Sequence, residues 1–230
     1  MMKAAVTMAL NDAFKSIGWK LTGPWLRNSN VKGFKRSVAP LVYKAGGCLI
    51  QPGYCFAVKS ITLAYQYIYP EGNLNRKGIA DFSFPLEIGE RGARHFYRSD
   101  ELEEFMDFFL GPYWSAIEAI ELRFNFASEQ DFFDQLKLSD LADHRGVVRK
   151  SYISFCLAKL AVGEEQWADY FIENGPQHNI HSPNAMAPFH WLKRNADFLK
   201  LVMQKGKTGI KGVDVPASLT RNDLIPPGCR

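Results

Sequence analysis

Several common chemistries are excluded by what this chain does not contain. No run of residues approaches the roughly 18 apolar positions that a membrane-crossing helix requires, so no transmembrane span and no membrane partner are expected. Four cysteines in 230 residues are too few for a disulfide framework, and a core of this size does not need one. There is no G-x-G-x-x-G, no G-x-x-x-x-G-K-[ST], no H-E-x-x-H, no G-x-S-x-G and no C-x-x-C. The strongest sequence signals for dinucleotide, nucleotide, zinc-protease, hydrolase and thiol-redox sites are therefore missing. Lys205-Gly206-Lys207-Thr208 holds the letters GKT, but it has neither the leading glycine nor a preceding strand. No cofactor is expected. The apolar start after Lys3 lacks a small-residue cleavage site and is interrupted at Asn11-Asp12, so a helix is expected there rather than a signal peptide. The cytoplasm is the default compartment.

What is present is the composition of a globular protein. Hydrophobic residues make up 47%, aromatics 13% and charged residues 23%, which argues against disorder. The charges are segregated. Residues 1–80 carry 11 Lys/Arg against 2 Asp/Glu, residues 81–143 carry 5 against 15, and residues 144–230 carry 12 against 7.

The periodicity changes along the chain. Val6, Leu10, Phe14 and Ile17 are spaced for one helix face. "SVAPLVYK", "YCFAVKS", "ITLAYQYIY" and "DFSFPLEI" then read as strands from their β-branched and aromatic content, with Pro40 at an edge or strand start. From Ser99-Asp100 the spacing turns helical: Leu102, Phe105, Met106, Phe109 and Leu110 form one stripe that Gly111-Pro112 should stop. Trp114, Ile117 and Ile120 suggest a second short helix, and "ELRFNF" alternates like a strand. Ser128 opens a helix bearing Phe132, Phe133 and Leu136. Tyr152 to Leu160, Glu164 to Phe171 and Pro188 to Met203 complete the helices. The fold class is α+β: an antiparallel meander of three to five strands with an N-terminal helix, followed by a mostly helical C-terminal half. Residues 1–98 form the helix and sheet, 99–204 the helical part packed on it as one globular unit, and 205–230 a flexible basic tail.

"CLIQPGYC" places Cys48 and Cys55 around a Pro-Gly pair suited to a type II turn. A hairpin closed there sets Ile50 opposite Cys55 and Cys48 opposite Ala57, leaving the two cysteines as diagonal neighbours roughly 7–8 Å apart. A disulfide wants Cα atoms about 4.4–6.8 Å apart, so free thiols packed as small hydrophobes are expected. Cys229 lies in "PPGCR", which resembles translated polylinker, so no functional role is expected of it.

Candidate sites are few. Arg91, Arg94 and Arg98 surround His95, with Phe96 and Tyr97 between them, and guanidinium forks of this kind bind anions; pairing with the acidic helix that follows is the plainer reading. His178, His181 and His190, with Glu173 or Asp169, are weak candidates for zinc, and no metal is expected. Asp143-His144 reads as a loop. Glu101, Glu103, Glu104 and Asp107, continued by Glu118 and Glu121, form the acidic face most suited to a protein partner. The leading expectation is a non-enzymatic protein-interaction module of inhibitor, immunity or adaptor type. One alternative is a nucleic-acid-binding protein using Lys32, Lys35, Arg36, Lys44 and Lys59 near Trp25, Phe34 and Tyr43. A second is an enzyme whose site is assembled from the histidines at 95, 144, 178, 181 and 190. A protein partner is expected before nucleic acid, and self-association through the opposite-charge segments stays open.

Overall fold

The apolar spacing of the first residues produces α1 (Met2–Phe14). Val6, Leu10 and Phe14 recur every four residues and are buried, the stripe by which a helix packs. Ile17, expected on the same stripe, is instead 51% exposed. The helix tightens into a 3₁₀ turn at Lys15–Ile17, and Gly18 reverses the chain at φ +81°, a conformation open to glycine.

The structure is a computed structural model. It describes residues 2–22, 25–28, 32–38, 41–44, 47–50, 54–69, 81–84, 86, 88, 94–96, 101–124, 126–141, 148–220 and 223. Pro40 lies outside these. The chain divides into two compact units, Met1–Phe56 with Ser83–Phe132, and Ala57–Phe82 with Phe133–Arg230.

In the first unit β1 (Lys20–Thr22), β2 (Trp25–Asn28) and β3 (Phe34–Val38) form an antiparallel meander, with Leu21 opposite Leu26 and Leu26 opposite Val38. Then β6 (Tyr54–Val58) and β7 (Phe82–Phe84) complete a five-stranded antiparallel sheet in the order β1-β2-β3-β6-β7. β4 (Leu41–Lys44), β5 (Gly47–Ile50) and β8 (Arg94–Phe96) make a second sheet in the order β4-β5-β8. The α+β class, with a helix first, an antiparallel sheet early and helices late, is the one the sequence predicts.

The hairpin across "CLIQPGYC" does not form. β5 pairs with β4 and β8, setting Cys48 opposite Tyr43 and Phe96, while β6 belongs to the other sheet. A two-residue connection joins Lys44 to Gly47, so β4 is the closer partner for β5. Cys55 is a free, half-buried thiol with its Sγ 3.7 Å from Ser83 Oγ, and burial pushes it up from its ordinary pKa.

"ITLAYQYIY" is a helix, α2 (Lys59–Ile68), rather than a strand. Ile61, Ala64, Tyr65 and Ile68 are its buried residues, spaced i, i+3, i+4 and i+7. Its N-terminus is capped from a distance: Val58 N–H and Thr62 Oγ1–H both donate to Asp81 Oδ2 at 2.7 Å. The alternating "ELRFNF" is not a strand either. Residues 121–123 close α4 (Trp114–Arg123), and the alternation of Phe124 and Phe126 serves an aromatic cluster. Phe124 lies 5.2 Å from Phe84, and Phe126 lies 5.3 Å from Phe34 and 5.2 Å from Phe56. The predicted helix at Ser128 is α5 (Glu129–Gln135), with Ser128 Oγ accepting from Asp131 N–H at 3.0 Å.

The helices of the second unit surround α6 (Val148–Ala161), whose residues 151–160 are all buried. A helix apolar on every side belongs in a core. Its buried cation, Lys159, donates to Glu164 Oε1 at 3.0 Å. The indole N–H of Trp167 reaches Glu164 Oε2 at 2.9 Å, and together these donors hold the Glu164 carboxyl below its ordinary pKa. α7 (Trp167–Asn174) follows. The single helix expected over 188–203 is two, α8 (Pro183–Arg194) and α9 (Ala196–Lys205). Ser182 Oγ caps α8 by accepting Ala185 N–H at 3.1 Å. Asn195 separates the pair, its amide donating to Trp191 O at 2.8 Å. Among its described residues the segment after α9 has no long element, and two bonds tie it down: Trp191 Nε1–H to Ala217 O at 2.6 Å and Leu219 N–H to Ile68 O at 3.0 Å.

Removing the Asp81 carboxylate leaves the start of α2 without its acceptor. Asp81→Ala is expected to lower the unfolding free energy by about 1–3 kcal/mol, and Asp81→Asn by less, because its amide oxygen still accepts. Urea denaturation of the three proteins at neutral pH checks the ranking, and equal midpoints for Asp81→Ala and the parent would refute the capping role.

Candidate functional site

A run of exposed acidic residues lies on α3 (Leu102–Phe108). Glu103 and Glu104 occupy its first turn, where the helix dipole favours negative charge. Phe105 and Phe109 are fully buried and stack 5.9 Å apart, and Phe109 stacks on Tyr113 at 5.0 Å. Phe14 of α1 meets Phe109 edge-on at 5.6 Å. This aromatic face fixes the rotation of α3 and leaves Glu103, Glu104 and Asp107 exposed.

Gly111-Pro112 kinks the helix instead of ending it. A widened turn over Phe109–Tyr113 leads directly into α4, with Gly111 at φ −85°, ψ −108°. Proline has no N–H to give and crowds the preceding turn, and a widened turn is a usual way to absorb it. Leu110, in that turn, is 44% exposed, and Leu122 near the end of α4 is 87% exposed.

The other suspected acids are not equivalent to these three. Glu101 is half-buried ahead of α3. Glu118 is exposed and accepts the Trp114 indole N–H at 3.0 Å. Glu121 turns inward to pair with Arg36 of β3. The Arg36 guanidinium lies 5.7 Å from both the Trp19 and Phe126 ring centroids, a cation–π arrangement on two faces. Burial raises the Glu121 carboxyl above its ordinary pKa, against the opposing pull of Arg36.

This pair bears on the basic N-terminal segment as well. Arg36 and Phe34 are both buried and so leave the set considered for nucleic acid, while Lys32, Lys35 and Lys59 are exposed. For Trp25, Tyr43 and Lys44 only the backbone is described. Arg94 and His95 sit in β8 opposite Ile50 and Leu49. Arg91, Arg98, Asp143 and His144 lie outside the described residues.

The histidines of the second unit are dispersed in role. His178 Nε2 lies 3.1 Å from Tyr170 Oη, and its ring sits 5.2–5.6 Å from those of Tyr152, Tyr170 and Phe171. His181 and His190 are exposed. Among the described residues no group of three or more His, Cys, Asp or Glu is placed to hold a metal ion. The sequence reading missed Lys193 and Arg194, which with His190 line a groove; their i, i+3, i+4 spacing was the available signal.

The Glu121 pairing has a definite pH signature. Its folded pKa lies above the unfolded value, so between the two the folded state binds more protons and stability falls as pH rises. The fall is expected from the ordinary glutamate range, about 4.3, upward, and Glu121→Gln should remove it. Arg36→Ala strands a buried carboxylate and should cost about 2–4 kcal/mol at neutral pH, because breaking a largely buried pair exposes the desolvation of the survivor. Denaturation midpoints from pH 4 to pH 8 test both, and an unchanged slope in Glu121→Gln would exclude Glu121 as the source.

No family model, no curated protein and no solved structure matches this chain, so the geometry and chemistry of its own residues are what bear on function.

Proposed function

We propose that the protein is a non-enzymatic interaction module, of inhibitor, immunity or adaptor type, that binds a basic protein surface through the outer face of α3. One observation carries this reading: three carboxylates stand exposed on a short helix whose opposite face is locked by stacked aromatic rings. Positions 103, 107 and 110 lie i, i+4 and i+7 along one side of the helix, so the half-exposed Leu110 continues the acidic row. Charge of one sign steers a partner of the opposite sign, and an apolar side chain beside it supplies area to bury on contact. A rigid presenting element limits the ordering cost of binding.

Charge reversal tests the proposal. Glu103→Lys with Asp107→Lys is expected to reduce capture of a basic protein partner on immobilised protein by about tenfold or more, with the thermal midpoint little changed. Capture by the parent should also weaken between about 50 and 300 mM salt. A partner held equally by parent and variant would remove α3 from consideration.

A further inference from the structure

The second unit carries an open groove of about 420 Å³ between α8 and the segment around Leu219 and Asp223. Pro183, Ala187 and Leu219 give it apolar surface, and His190, Lys193, Arg194 and Asp223 give it polar edges. On α8, positions 183, 187, 190 and 194 fall at i, i+4, i+7 and i+11, which a helix sets in one row. The facing wall is anchored by the bonds of Ala217 and Leu219 described above. Asp223 Oδ2 also accepts the N–H and the hydroxyl of Thr220, at 2.7 and 2.8 Å.

The charges in the groove differ in availability. Lys193 pairs with Asp169 of α7 at 2.6 Å, so its ammonium is already balanced. Arg194 is exposed and offers a planar fork of donors. His190 offers a ring N–H in either protonation state. Asp223 is the only acid among the described lining residues.

We infer that this groove binds a small organic anion, a phosphate monoester or carboxylate with an apolar body, anchored by Arg194. The guanidinium matches the two oxygens of either head group with parallel, charge-assisted hydrogen bonds. The apolar surface beside it removes the ligand's hydrocarbon from water. Asp223 opposes the ligand's negative charge and so moderates affinity.

Calorimetric titration of the full chain with phenyl phosphate, benzoate and inorganic phosphate tests the inference. Saturable binding of phenyl phosphate or benzoate is expected, about tenfold or more tighter than inorganic phosphate, because only the former two bury a ring. The tighter of the two identifies the head group. Arg194→Ala should weaken binding by about tenfold or more, and Asp223→Asn should strengthen it. Lys207→Ala, at an exposed site outside the groove, should leave it unchanged. No saturation below about 10 mM, equal affinity for inorganic phosphate, or equal loss in Arg194→Ala and Lys207→Ala would each overturn it.

Discussion

The first backbone N–H groups of a helix have no partner within the helix, and at the start of α2 they fall beside buried residues. Asp81 supplies the acceptor there from 23 positions along the chain, with its side chain only 1% exposed. A carboxylate so deeply buried would be costly alone. Two hydrogen bonds and the positive end of the helix dipole offset that cost. The same contact ties the beginning of β7 to the end of β6. Once α2 exists as a helix, Ile61, Ala64, Tyr65 and Ile68 face inward, and α2 packs with α6, α8 and α9. Ile68 then accepts the Leu219 N–H that holds the C-terminal segment. The start of α2, from which these contacts of the second unit extend, is thus held by one distant carboxylate.

Distance along the chain is also what separates the legible from the illegible in this sequence. The helices α1, α3, α5 and α6 could be read because their causes are local: apolar residues at helical spacing, acids in the first turn of α3, and a serine cap at 128. The order of helix, antiparallel sheet and late helices was legible for the same reason. "ITLAYQYIY" could not be read correctly, since its β-branched and aromatic content favours a strand and its cap lies at residue 81. The pairing of β5 was hidden similarly, because β8 comes more than forty residues after β5 and the closer β4 competes with β6. In "ELRFNF" a true alternation was present, but it reports rings entering a cluster and not a pleat.

At the candidate site the sequence located the acidic helix but could not distinguish among its acids. Glu118 and Glu121 look alike as letters, three apart on one helix. Only the fold shows that one accepts from a neighbouring indole at the surface while the other crosses to β3. The Arg36–Glu121 contact brings together, within one molecule, a base from the +9 segment and an acid from the −10 segment. Trp19 and Phe126 flank that contact, and neither has a charge that would have drawn attention to it.

The remaining charges sort by what each does for the fold. Lys193–Asp169 joins α8 to α7 through exposed side chains, and Lys200–Glu165 joins α9 to the turn ahead of α7; surface pairs of this kind contribute little to stability. Glu103 and Glu104 support the first turn of α3, so a purely structural reason for their charge exists. Asp107 lies beyond that turn, where the dipole effect has faded, and its side chain is exposed. Aspartate is also a poorer helix former than glutamate or alanine at an interior position. Leu110 sits one turn further on and leaves 44% of its surface in solvent. The local stability of α3 thus accounts for its first two acids and leaves Asp107 and Leu110 unexplained, and this asymmetry places the weight of the proposed recognition at the C-terminal end of the row.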